Sequence, residues 1–196
     1  EEIIGKCAKY NPNLKIISKL KKIEISQGSK DLCKILEKEF FESLIKLRSQ
    51  YLDTYLVHNV KDLFSEEGEV LINWLLSIKK RGLVKNIGVS LYDPLEINQE
   101  ILKNFDVIQV PLSIYDQRFL QKNLFETIKK YKIQIHIRSI FLQGLILEKS
   151  SNWPKTVSRD FKRHHENLEI DLKRNNLTLI DAAVEFIKNI ENTDLI

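Results

Sequence analysis

Short apolar runs alternate with amphipathic stretches along almost the whole chain. Residues 15–20 (KIISKL), 51–58 (YLDTYLVH), 84–90 (VKNIGVS), 106–112 (DVIQVPL) and 133–142 (IQIHIRSIFL) read as strands. The last of them is dense in β-branched side chains, which favour the pleated conformation. Helical patterns fill the intervals. Residues 1–10 read as the tail of an amphipathic helix that Asn11-Pro12-Asn13 breaks. Across 30–48, Leu32, Ile35, Leu36, Phe40, Ser43, Leu44 and Leu47 fall near helical spacing and predict one apolar face. Ser65, Glu66 and Glu67 open a further helix, because acidic residues in a first turn complement the positive end of the helix dipole. It runs through Trp74 to Arg81 and stops at Gly82, a natural terminating glycine. Pro94 opens a helix over 94–104, another covers 118–131, Ser151–Lys155 is a loop, and two helices follow at 159–175 and 178–190. Residues 193–196 begin a sixth strand.

Strict alternation of strand and helix implies parallel strands joined by right-handed crossovers. A doubly wound open sheet is the main alternative, and it usually carries a glycine-rich first turn such as GxGxxG. No such turn is present, which favours an α/β fold of the (β/α)8 barrel type. The 196 residues form a single expected domain, 1–196, but are short for a barrel that typically needs about 250. Glu1-Glu2 already lie inside a helical pattern, methionine is absent, and the chain stops at a strand start. These features predict an incomplete barrel, part of a longer polypeptide.

Composition narrows the picture little. A hydrophobic share of 43% and a charged share of 30% are ordinary for a soluble globular protein. The net charge of +4 comes from lysines scattered among glutamates. The basic runs Lys79–Arg81 and Lys129–Lys132 sit at helix C-termini, where they complement the dipole, so no nucleic-acid surface is expected. Cys7 and Cys33 lack metal-ligand or CxxC spacing and are expected to be buried, reduced thiols. No apolar run approaches the roughly 20 residues of a membrane span, and no signal-peptide pattern appears. The expected location is the cytoplasm.

Chemistry enters at the strand ends. Lys19 lies near the end of 15–20, His58 closes 51–58 and Ser90 closes 84–90. In a parallel barrel all strand C-termini open on one face, so a lysine, a histidine and a hydroxyl at successive ends describe an active-site rim.

The ordered set YLDTYLVHN (51–59), Gly68-Glu69-Val70, LLSIKKRGLVKNIGVS (75–90) and FDVIQV (105–110) resembles the aldo/keto reductase family. KIISKL is similar to that family's second barrel strand, HIRSIFLQGLIL (136–147) to its sixth, and EEIIGKCAK (1–9) to its first barrel helix. The resemblance implies a (β/α)8 barrel that transfers hydride from NADPH to a small-molecule carbonyl, such as that of a sugar or related metabolite. It implies that Lys19 and His58 are the catalytic lysine and histidine, with the family's tyrosine and aspartate upstream of Glu1. Ser90 and Gln109 match positions that hold the nicotinamide carboxamide. Ser139, flanked by Arg138, takes the place where many members stack an aromatic ring on the nicotinamide. The family's GVSN reads Gly88-Val89-Ser90-Leu91, an amide replaced by an apolar side chain. The preference for NADPH over NADH rests on family habit. A lysine ammonium near a tyrosine lowers the phenol's pKa from about 10 and makes it a better proton donor. A histidine can hydrogen-bond the substrate oxygen.

Two other readings stand beside this one. A catalytically inactive barrel that binds nucleotide or regulates a partner is motivated by Leu91 and Ser139. A lyase using Lys19 as a Schiff-base amine is the other. Among the remaining polar residues, Asp53 reads as structural. Tyr115, Asp116, Gln117 and Arg118 read either as a cofactor or substrate contact or as a loop in which Asp116 caps a helix. Arg138 reads as a partner for a substrate anion or as half of a buried ion pair. His136 reads as structural, and His164 and His165, adjacent on a charged helix, point in different directions and make a metal pair unlikely.

Overall fold

The computed structural model describes residues 1–8, 10–11, 13–21, 32–191 and 193–194. The chain divides into two compact units, Glu1–Gln109 with Lys130–Gln134, and Val110–Lys129 with Ile135–Ile196. Its strands hydrogen-bond in the order β1 (Ile17–Lys19), β2 (Leu52–Val57), β3 (Val84–Ser90), β4 (Val107–Pro111) and β5 (Gln134–Arg138), and the division runs through the last two.

In the first unit β1 pairs with β2, β2 with β3 and β3 with β4, all parallel. The helices α1 (Glu2–Ala8), α2 (Leu32–Leu47), α3 (Gly68–Lys80) and α4 (Gln99–Asn104) occupy the intervals. On α2 the buried positions are Leu32, Leu36, Phe40, Ser43, Leu44 and Leu47, the face that the spacing predicts, although Ile35 is exposed. Tyr55 of β2 points at these helices. Its ring meets Phe40 edge-on at 5.1 Å and Trp74 of α3 at 6.2 Å, contacts worth about 0.5–1.5 kcal/mol each beyond the area they bury. Asp106, just before β4, fixes the opposite end. Its carboxylate accepts from Lys79 Nζ at 2.6 and 2.7 Å and from the Ile87 N–H at 2.9 Å, tying α3 to β3.

Several predicted boundaries move for local reasons. The strand expected at 15–20 is regular only over Ile17–Lys19. The helix expected from Ser65 begins at Gly68, because Asn59 caps a separate 3-10 turn, Val60–Phe64, by accepting from the Lys61 N–H. Gly82 does end α3, in the left-handed conformation at φ 74°. The segment 94–104 splits into a 3-10 turn, Pro94–Glu96, and α4. Cys7 and Cys33 are unpaired thiols, but both are exposed rather than buried, since each falls on the outward side of its helix.

In the second unit the predicted helix 118–131 is a 3-10 segment, Arg118–Asn123, followed by α5 (Leu124–Lys130), with Asn123 at φ 52° between them. The strand expected to reach 142 stops at Arg138, because Ser139, Leu142 and Gln143 adopt positive φ. α6 (Arg159–Arg174) starts on the Ser158 cap, and α7 (Leu179–Lys188) on a capping box of Thr178 and Asp181. Thr193 and Asp194 carry no regular structure, but the Asp194 N–H donates to the Ile135 carbonyl at 2.9 Å beside β5; the rest of the expected sixth strand lies outside the described residues. No helix among the described residues is long and apolar enough to cross a membrane.

Gly88 is the tightest point of the sheet. A Cβ there would lie 2.5 Å from Leu56 Cδ2, 2.6 Å from the Val107 carbonyl oxygen and 2.8 Å from Val107 Cβ. Gly88→Ala is therefore expected to destabilise the fold by about 1–3 kcal/mol through overpacking, read as a lower urea midpoint. An unchanged midpoint would show that β2 and β4 can part without cost.

Candidate functional site

Parallel register places the candidate residues. Lys19 is level with Leu56, Leu56 with Gly88, and Gly88 with Val107. Tyr55 faces the helices, so Leu56 and its level partners face the other side of the sheet. Side chains two residues further along share that side. His58, Ser90 and Gln109 therefore form the next layer, with Ser90 and Gln109 direct partners in the ladder. Val57 pairs with Val89, which sets His58 level with Ser90. Lys19, His58, Ser90 and Gln109 thus share one face at the C-terminal edge of the first unit's strands.

The geometry of this layer is polar where a packed core would be apolar. Ser90 is fully buried, and its Oγ has no hydrogen-bond partner among the described residues; the same holds for Gln109 Oε1. Leaving a buried polar atom unpaired costs about 1–3 kcal/mol, a cost that a ligand bonding to these two atoms would offset. Both can accept from a carboxamide NH2, and the Ser90 hydroxyl can also donate to its oxygen. Tyr55 is not the missing phenol of this site. It sits on the opposite face, and burial pushes its pKa far above the ordinary tyrosine range, so it is a weaker acid than a free phenol.

The loops hold the layer in place. His58 is exposed, and the segment after it is fixed by the Asn59 cap and by buried Val60 and Leu63. After Ser90 the chain is pinned twice. The Leu91 N–H donates to the Gln109 carbonyl at 2.8 Å, and the Leu91 side chain is fully buried. That burial accounts for the departure from GVSN. Leu91 serves packing at the position where the resemblance puts an amide. Tyr92, next in sequence, brings its phenolic oxygen within 3.3 Å of His58 Nε2. Sequence reasoning passed over Tyr92. Its only signal was its position two residues beyond Ser90.

In the second unit the remaining candidates separate. Ser139 lies in left-handed backbone at φ 63°, and its Oγ accepts from Arg138 Nη1 at 3.3 Å. Asp116 Oδ1 accepts from the N–H of Arg118, the first residue of the 3-10 segment, at 3.5 Å, a long cap-like contact. It pairs with Arg118 through two contacts of 2.8 and 2.9 Å, and the Arg118 guanidinium holds its carboxyl below the usual range. Tyr115 turns inward and its hydroxyl meets His165 Nδ1 at 2.8 Å. His165 is fully buried against Trp153, whose ring lies 4.5 Å away. Glu166, its neighbour in sequence, hydrogen-bonds Ser150. Of the adjacent histidine pair, His165 thus joins the core while His164 stays exposed, each on its own side of α6. His136 is buried in β5. No group of three His, Cys, Asp or Glu side chains among the described residues is arranged to hold a metal ion.

Burial pushes the His165 imidazole below its ordinary value; His164 works in the same direction, while Glu169 and Glu166 oppose it. The folded protein therefore keeps His165 neutral in a range where the unfolded chain, titrating near 6.5, takes up a proton. Its contribution to stability is complete above about pH 6.5 and is lost as pH falls from there through the lowered folded value. Urea unfolding between pH 7.5 and 5 is expected to show a fall of at most about 1.4 kcal/mol per pH unit from this group. His165→Phe should flatten it, and an unaltered slope in that variant would place the proton uptake elsewhere.

Comparison with known proteins gives a consistent picture. The profile described as the aldo/keto reductase family matches residues 1–195. The chain is 26% identical over 163 residues to the glyoxal reductase of Bacillus subtilis (strain 168), covering 80% of this chain and 55% of that protein. Among solved structures it resembles the glycerol dehydrogenase of Gluconobacter oxydans, with a TM-score of 0.71, 18% identity, and coverage of 100% of this chain and 66% of that one. It also resembles an aldo/keto reductase of Klebsiella pneumoniae solved with NADP and acetate, with a TM-score of 0.62, 15% identity, and coverage of 90% and 57%. The chain thus spans between about half and two thirds of the length of these relatives.

Proposed function

The chain belongs to the aldo/keto reductase family, whose fold is the (β/α)8 barrel, and from that premise we propose that the protein reduces the carbonyl of an aldehyde or ketone with NADPH as hydride donor. The observation that carries this reading is the layer of Lys19, His58, Ser90 and Gln109 on one face of parallel strand ends, with two buried polar atoms unpaired among the described residues. The family supports an oxidoreductase, and the NADP bound to the Klebsiella relative supports the choice of nucleotide. The glyoxal reductase and the glycerol dehydrogenase among the relatives support a small oxygenated carbonyl as substrate.

In this reading Ser90 and Gln109 hold the nicotinamide carboxamide and so fix which face of the ring looks into the site. NADPH, when bound, supplies the hydride to the carbonyl carbon. As that bond forms, the π pair of the C=O moves onto oxygen, and the alkoxide must be stabilised and protonated. His58 donates a hydrogen bond to that oxygen and sets its angle. The Lys19 ammonium lies one layer below, at the level of Leu56 and Gly88, where it favours the charged form of an adjacent proton donor and lowers that donor's pKa. With one proton given to the alkoxide by that donor, which solvent would reprotonate, the products would be an alcohol and NADP+.

Lys19→Ala in the full-length protein is expected to lower kcat by about 10²–10⁴, with the far-ultraviolet circular dichroism unchanged. Full turnover in that variant would sink the assignment. Ser90→Ala separates binding from folding. Removing an unpaired buried hydroxyl should leave the melting temperature equal or higher, while the Kd for NADPH rises about 2–10-fold. A lower melting temperature with unchanged nucleotide affinity would mean that the hydroxyl serves the fold instead.

A further inference from the structure

We propose that the first unit carries a second binding site, for the phosphate monoester of a polyhydroxy compound, at the N-terminal ends of β2 and β3. The site goes beyond the reductase reading and does not depend on it. A cavity of about 700 Å³ opens there, within the size range of small-molecule sites. It is bounded by the tail of α1, the segment leading into β1, the turn after α2 and the first residues of β2 and β3. Lys85 precedes Ser90 by five residues on β3, so the cavity lies about 17 Å along the strand from the polar layer. Leu52 is level with Val84 and Thr54 with Asn86, which sets Asp53 beside Lys85 on the helix side that Tyr55 also faces. Two walls already touch. A Cβ on Gly5 of α1 would lie 2.4 Å from the Lys46 carbonyl oxygen and 2.7 Å from the Leu47 carbonyl carbon, so α1 meets the end of α2 backbone to backbone.

Charge selects the ligand. Lys15, Arg48 and Lys85 line the cavity against one carboxylate, Asp53, an excess of two positive charges. Asp53 already accepts from Thr54 Oγ1 at 3.0 Å and lies 4.0 Å from Lys85 Nζ. Among the described residues neither Lys15 nor Arg48 pairs with a carboxylate. The carbonyl end of α2 brings about half a negative charge, which still leaves the cations in excess. Arg48 stands where the backbone asks for glycine. It is left-handed at φ 52°; its N–H closes α2 on the Ile45 carbonyl at 3.1 Å, and the Ser49 N–H reaches the Leu44 carbonyl at 3.1 Å. α3 closes with the same pair of bonds, from Gly82 to Lys79 and from Leu83 to Ile78, and there the left-handed residue is a glycine. The arginine side chain adds nothing to that turn and serves the cavity instead. A guanidinium fork grips two phosphate oxygens at once, and the lysines add point charges. The amides of Asn11 and Asn13 and the Asp53 carboxylate can bond hydroxyls, which extends the match from the phosphate to the polyol that carries it.

The test titrates the full-length protein with myo-inositol 1-phosphate and with myo-inositol, neither of which offers a carbonyl, by isothermal calorimetry at constant ionic strength. The phosphate is expected to bind with a Kd at least about tenfold below that of the free polyol. Arg48→Gly should raise that Kd at least about tenfold while the melting temperature stays equal or rises, because glycine suits the turn. Lys85→Gln, a change at an exposed side chain, should raise it about threefold or more. Saturating NADP+ should leave the binding in place, since the polar layer lies at the other end of the strands. No detectable binding, equal Kd values for the two compounds, an Arg48→Gly variant that binds as before, or displacement by NADP+ each overturns the site. None of these readings measures carbonyl reduction, so the reductase reading is tested separately and neither result decides the other.

Discussion

The close approach of β2, β3 and β4 at Gly88 is the constraint on which the first unit depends. No side chain fits between Leu56 and Val107 at that point, so the ladder closes and its register is fixed. Register, in a parallel sheet, decides which side chains stand level with one another. A slip of one residue would turn Ser90 and Gln109 toward the helices and bring Val89 and Ile108 into the polar layer. The site is thus a consequence of one glycine and two ladders before any polar group contributes.

The helices lock that register from behind. Tyr55, Phe40 and Trp74 fill the space between β2 and the two helices behind it, and Asp106 gathers Lys79 and the Ile87 amide into one ionic knot at the other end. The ion pair is half exposed, so its Coulombic gain is small; the carboxylate's bond to a backbone N–H gives it positional value. At the edge where the strands end, the Ser90 hydroxyl and Gln109 Oε1 remain unsatisfied among the described residues. Stability has been placed below, and the cost of an unpaired hydroxyl and amide above, where a ligand can return it.

The second unit settles its own polar groups differently. Tyr115, His165 and Trp153 bury a hydroxyl, an imidazole and an indole together, with Trp153 Nε1 donating to the Leu145 carbonyl at 2.8 Å. Asp116 turns outward to Arg118. The YDQR stretch, which reads equally as a ligand contact or a cap, therefore divides: its tyrosine goes to the core and its aspartate to a surface pair.

The sequence by itself determined the alternation of strands and helices, the family, and the positions of Lys19, His58, Ser90 and Gln109 at strand ends. These follow from periodicity and from residue order, which are local properties of the chain. It also determined the Gly82 stop, since a positive φ at a helix end is a demand that glycine meets in any context. Tertiary structure alone decided the rest. That the Ser90 hydroxyl and Gln109 Oε1 lack partners among the described residues is a statement about every atom around them. That Tyr92 reaches His58 depends on a loop whose direction is set by Glu96 and by the burial of Leu91, a residue that reads in the sequence only as a lost amide. That Cys7 and Cys33 are exposed and His165 is buried depends on which face of each helix finds a neighbour. Periodicity locates a face, but only packing tells what, if anything, lies against it.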